Sequence, residues 1–145
     1  MAGKGATGEL EIVKMLNPIV HNVRRQFGHS EKDITNPHVQ VMRNYSQSAL
    51  GGNDIVNAWG LSIEVKRQQV VSVDRWWRQS VKAAEPLGLI PVLMYRRNSE
   101  RWHVVMNVHL PGNSEEVVRA EILPGDFLVW FEQLVISRIK NRKGA

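Results

Sequence analysis

The chain has 145 residues, 43% of them hydrophobic and 23% charged, which suits one soluble α/β-sized domain able to bury a core without staples. It has no cysteine, which excludes disulfide scaffolds, thiolate metal sites and cysteine nucleophiles and fits a reducing, cytoplasmic setting. The 19 Lys and Arg against 14 Asp and Glu leave a charge of +5 that favours polyanions, nucleic acid ahead of an acidic membrane.

Taken in order, Thr7 is placed to cap a helix from about Gly8 through Asn17, which Pro18 should kink or restart before a second piece through Phe27. Gly28 to Pro37 reads as a loop, His38 to Arg43 as a strand, and Asn44 to Asn53 as a polar loop. Asp54 to Val56 reads as a short strand, Asn57 to Gly60 as a turn, and Leu61 to Arg67 as a second strand. A helix follows from Asp74 to about Glu85, then strands at Ile90–Arg96, Trp102–Val108 and Val117–Leu123. Asp126 to about Lys140 closes the chain as an amphipathic helix with Phe127, Phe131, Leu134 and Val135 on one side. That order predicts a single mixed α/β domain over residues 1–145, a central mixed sheet flanked by helices. No apolar run approaches the roughly 20 residues of a membrane-spanning helix, and the first five residues lack the apolar core of a secretion signal.

The chemistry concentrates in two strands. Side chains alternate along a strand, so Glu64 and Lys66 share one face while Ile63 and Val65 anchor the other. The Asn57–Gly60 turn folds the Asp54 strand back beside them, so two carboxylates and an ammonium can meet at one sheet edge. Glu9 shares the inward stripe of the first helix with Ile12, Val13 and Leu16, whereas Glu11 lies off that stripe with Lys14. Two carboxylates about 5 Å apart repel by roughly 3 kcal/mol at an effective dielectric near 20. If Glu9, Asp54 and Glu64 all converge, either a divalent cation or raised carboxyl pKa values must relieve the cluster. Oxygen-only ligands select Mg²⁺, with Mn²⁺ as substitute.

Gly52-x-Asp54 with Glu64-Val65-Lys66 ten residues on resembles the PD-(D/E)xK nuclease superfamily. The Lys4-Gly5-x-x-Gly8-Glu9 opening resembles, within it, the archaeal and phage Holliday-junction resolvases. The resemblance covers mainly residues 4–16 and 40–68, and Asn53 stands where the superfamily name has proline. It implies a restriction-endonuclease-like core and a catalytic set of Glu9, Asp54, Glu64 and Lys66, with the three carboxylates as metal ligands. It further implies a homodimer that cuts four-way DNA junctions by paired symmetric nicks, leaving 5′-phosphates and 3′-hydroxyls. A loop serine of that family's site corresponds to Ser46 or Ser48.

Plainer readings stand beside these. A lone Glu-x-Lys on a strand is usually an exposed ion pair, and a lone first-turn Glu9 usually a solvated acid favouring the helix dipole. Lys4, Arg24, Arg25, Arg43, Arg67 and the loop residues Ser46, Gln47 and Ser48 are candidate DNA contacts; each also reads as ordinary surface. The same holds for Arg96-Arg97, the tail from Arg138 through Lys143, and Gln79. Trp76 and Trp77 suit buried or interface packing better than base stacking. The five histidines lack ligand spacing. Other PD-(D/E)xK nucleases, whether restriction-like or exonucleolytic, and a non-catalytic basic DNA-binding protein are the competing functions.

Overall fold

Hydrophobic alternation in the middle of the chain builds one six-stranded sheet, with its strands in sequence order. In the computed structural model, which describes residues 4–45 and 53–143, these are β1 (Met42–Arg43), β2 (Ile55–Val56), β3 (Leu61–Arg67), β4 (Ile90–Arg96), β5 (His103–His109) and β6 (Val117–Ile122). Neighbours are antiparallel except β3 and β4, which run parallel with Glu64 opposite Leu93. A parallel pair needs a crossover, and α3 (Val73–Ala84) supplies it. The long helices α1 (Lys4–Gln26) and α4 (Pro124–Lys143) complete a mixed sheet flanked by helices, the restriction-endonuclease-like α/β arrangement.

Strand alternation separates two cores. Ile63, Val65, Val92 and Met94 pack with Ile12, Leu16 and Val20 of α1 and with Phe127, Phe131 and Val135 of α4. Leu93 and Val105 point the other way and pack against Trp76 of α3. Trp76 is therefore a core residue, Trp77 is partly buried against the same cluster, and Gln79 is exposed. Leu134 is only partly buried, and Ile139 completes the buried face of α4 in its place.

Several local expectations are corrected. Helix α1 is one uninterrupted element: it already runs at Lys4, so Thr7 does not cap it, and Pro18 lies inside it. The buried stripe Ile12, Leu16, Val20 and Val23 continues straight through the proline. Its burial, about 1.5–3 kcal/mol per side chain, outweighs the roughly 3 kcal/mol proline penalty. At the N-terminal end, Gly8 lets the helix sit close on the sheet, since a Cβ there would lie 3.3 Å from the Trp102 ring and 3.4 Å from Val65.

The Gly28–Pro37 stretch is not all loop. Ser30 caps a short helix α2 (Glu31–Ile34), its hydroxyl accepting from the Asp33 N–H at 3.2 Å. The strand expected over His38–Arg43 shrinks to Met42–Arg43, because Pro37 opens a 3₁₀ turn through Val39. Val41 is then held by the Asn17 side chain, which both donates to its carbonyl and accepts from its N–H at 2.9 Å. No helix among the described residues is long and apolar enough to cross a membrane.

Candidate active site

Strand β2 is only two residues long, so among the described residues no strand lies beside the outer edge of β3 beyond Ile63. Asp54 fills that gap. Its backbone N–H donates to the Ile63 carbonyl at 3.0 Å, and its side-chain Oδ2 accepts from the Val65 N–H at 2.7 Å. The carboxylate thus takes the place of a ladder partner and is fixed between Glu64 and Lys66 of the strand. Asp54 is 5% exposed. The apolar anchoring of Ile63 and Val65 in the larger core forces Glu64 and Lys66 onto the opposite, α3-bearing face. Lys66 Nζ lies 3.4 Å from Glu64 Oε1, with both side chains largely buried.

Electrostatics shows how close these groups stand. Burial, then the charge of Asp54, push the Glu64 carboxyl up to about 7; Lys66 opposes this, and Glu9 adds a smaller upward push. The pair Asp54 and Glu64 is therefore brought together as the sequence suggests. Glu9 reaches the same neighbourhood and is buried, but its Oε2 accepts from Arg43 Nε at 2.6 Å. That hydrogen bond, reinforced by the Glu9 charge, raises the Arg43 pKa. Among the described residues no three His, Asp or Glu side chains form a ready-made metal cage.

The remaining expected contacts are scattered. Arg67 is not a free cation: its guanidinium donates to Glu11 and to Asn98, each at 3.2 Å. Arg96 binds the same Glu11 through two bonds, at 2.8 and 3.1 Å, and the Trp102 indole N–H donates to it at 3.0 Å. Glu11, off the apolar stripe, is thus the hub joining α1 to β3, β4 and the residue before β5. Burial alone would raise its carboxyl, but Arg96, Arg67 and Trp102 together hold it below the usual range. Sequence reasoning missed this hub, because its partners lie 56 to 91 residues away. Arg25 is paired with Glu31 at the surface, whereas Arg24 lies against Trp59. Lys4 falls in the first turn of α1; Ser46, Gln47 and Ser48 lie outside the described residues.

Comparison with known families bears directly on this arrangement. Residues 2–122 match the model of the family described as "phage putative PDDEXK endonuclease". The chain belongs to that family. It is accordingly a nuclease of the PD-(D/E)xK superfamily, and the match spans α1 and all of β1 to β6 while leaving α4 outside. No curated protein matches the chain. Asp54, Glu64 and Lys66, on β3 and its open edge, all lie within the matched span.

Proposed function

We propose that this nuclease is a Mg²⁺-dependent DNA endonuclease whose substrate is a four-way junction, with Asp54, Glu64 and Lys66 as its catalytic residues. The observation that carries the reading is the bond from the Val65 N–H to Asp54, which locks one carboxylate beside Glu64 on the strand that also bears Lys66. The donor set fits the ion. Mg²⁺ is ordinarily held by one or two carboxylates, with water and substrate phosphate completing its shell, and needs no all-protein cage. Asp54 and Glu64 supply those two carboxylates. When bound, the cation would lend Lewis acidity to the scissile phosphate and the attacking water.

The chain's own groups do the rest. Asp54 is immobilised by the β3 backbone, so the site is organised before substrate arrives. Lys66 places a positive charge beside Glu64, where it can orient the water and stabilise charge growing on the phosphate. Glu9 adds negative potential and is steadied by Arg43, whose guanidinium also lies 5.1 Å from the Tyr45 ring. Junction preference is favoured by the Lys4-Gly5-x-x-Gly8-Glu9 opening, which resembles the Holliday-junction resolvases. A homodimer with two such sites would cut symmetrically related strands. Exposed Val108, Val117, Val118 and Trp130 offer apolar surface for such a contact.

The test is a four-way junction assay with Mg²⁺ on the wild type and Asp54→Asn. Paired symmetric nicks from the wild type alone support the reading. Sequence-specific duplex cutting, or degradation from ends, would leave the chemistry standing but replace the substrate. Mg²⁺-dependent cleavage retained by Asp54→Asn would remove the assignment of the site.

A further inference from the structure

Positive charge gathers a second time at the other end of β3 from Lys66. The turn leading into that strand holds Trp59 at a φ of 58°, a left-handed conformation that a bulky residue adopts at a cost. Two guanidiniums lie against the Trp59 ring: Arg24 from the end of α1 at 5.3 Å and Arg142 from the end of α4 at 4.8 Å. A third, Arg138, stands over Gly60, its Nη2 2.9 Å from where a side chain would begin. Gly60 has a φ of 93°, so glycine is required there on both counts.

These arginines converge without a close ion-pair partner among the described residues. Among those residues no acidic one lines the cavity of about 330 Å³ that opens between Arg24, Arg142, His38 and Asn57. Arg24 Nη1 lies 3.1 Å from His29 Nδ1. Burial, then the charge of Arg142, lower the Arg24 pKa, and Asp33 offsets them in part. Stacking on an aromatic face satisfies the flat sides of two guanidiniums and leaves their N–H edges to find an acceptor. Like charges held this close call for an anion, and a planar N–H fork matches a phosphate.

We propose that this cleft binds a backbone phosphate of the DNA outside the scissile step, with Arg24 and Arg142 as its ligands and Trp59 as the platform that aligns them. The nature of the polyanion rests on the DNA-nuclease reading above. From Gly60 to Glu64 is four strand residues, about 13 Å. One DNA strand carries a phosphate about every 3.4 Å of helix axis. The anchored phosphate is therefore distinct from the one being cut. The α1 and α4 helix ends would then help to fix the register of the substrate.

Fluorescence anisotropy of labelled junction DNA in EDTA, titrated with salt, tests this on wild type, Arg24→Gln and Arg142→Gln. Each variant should lower the slope of log affinity against log salt by about one unit. Arg142 is exposed near the end of α4, so Arg142→Gln keeps the test alive should Arg24→Gln disturb folding. A junction whose arms are too short to place a phosphate over the cleft should bind wild type and Arg142→Gln alike. Unchanged slopes in folded variants, with wild type binding and cutting normally, would overturn the anchor alone. A wild type with no affinity for any DNA would overturn both the anchor and the proposed function.

Discussion

Glu64 titrates near 7 because its carboxyl is buried and faces Asp54, while Lys66 at 3.4 Å offsets only part of that. In the metal-free protein the folded state holds a proton on Glu64 at a pH where the unfolded chain has already released it. Stability must therefore fall as pH rises from the ordinary 4.5 toward 7 and level off above, by on the order of 3 kcal/mol. Urea midpoints in EDTA at about pH 5 and about pH 8 should show that decline in wild type and a much flatter response in Glu64→Gln. A wild type with no decline would mean that burial and Asp54 do not raise the Glu64 carboxyl. Lys66→Ala should lower single-turnover cleavage by about 100-fold or more while leaving DNA binding measurable, as expected for a charge that acts on the transition state. The trio Asp54, Glu64 and Lys66 was legible in the sequence because strand alternation and a short turn are local rules. What Glu9 and Glu11 each bind was not: both need partners set by tertiary packing, and periodicity places the stripe but not the arginine across from it.

At the level of elements, α1 is fastened to the sheet by its apolar stripe and, on its flank, by Glu11. Removing that carboxylate leaves the Arg67 and Arg96 guanidiniums without their shared partner. Glu11→Ala should cost about 2 kcal/mol, less than a fully buried pair because Glu11 keeps about a third of its side-chain exposure. The carboxyl is held below its ordinary range, so this contribution is present above the unfolded value of 4.5 and is lost as pH falls through the folded one. Thermal melts of wild type and Glu11→Ala should therefore converge in acid and separate toward neutrality; equal melting temperatures at neutral pH would show that the hub contributes nothing. Strands β3 and β4 match their sequence-expected bounds because each carries apolar residues at strand spacing along most of its seven residues. The errors fall where one residue type speaks against its surroundings. Pro18 argues for a break that the buried stripe overrides, and Met42-Arg43 is a strand too short to signal itself beside an Asn17 side chain that substitutes for backbone pairing.

For the molecule as a whole, the repulsion that weakens the metal-free fold is the same free energy that a cation can recover. An ion that binds only the folded state adds about 2.7 kcal/mol at a hundred times its dissociation constant. In a chain of this size each kcal/mol moves the melting temperature by about 2–4 °C. Mg²⁺ should therefore raise the melting temperature by several degrees at about pH 8, where Glu64 is ionised. At about pH 5.5 a proton already occupies Glu64 and competes with the ion, so the gain should shrink toward zero. Asp54→Asn separates this from general screening. It removes one proposed ligand and relieves the repulsion together, so its metal-free form should melt no lower than wild type and should barely respond to Mg²⁺. Screening of the +5 net charge would instead raise both proteins equally, and monovalent salt at matched ionic strength would reproduce it. An equal Mg²⁺ response in wild type and Asp54→Asn would place the ion elsewhere than between Asp54 and Glu64.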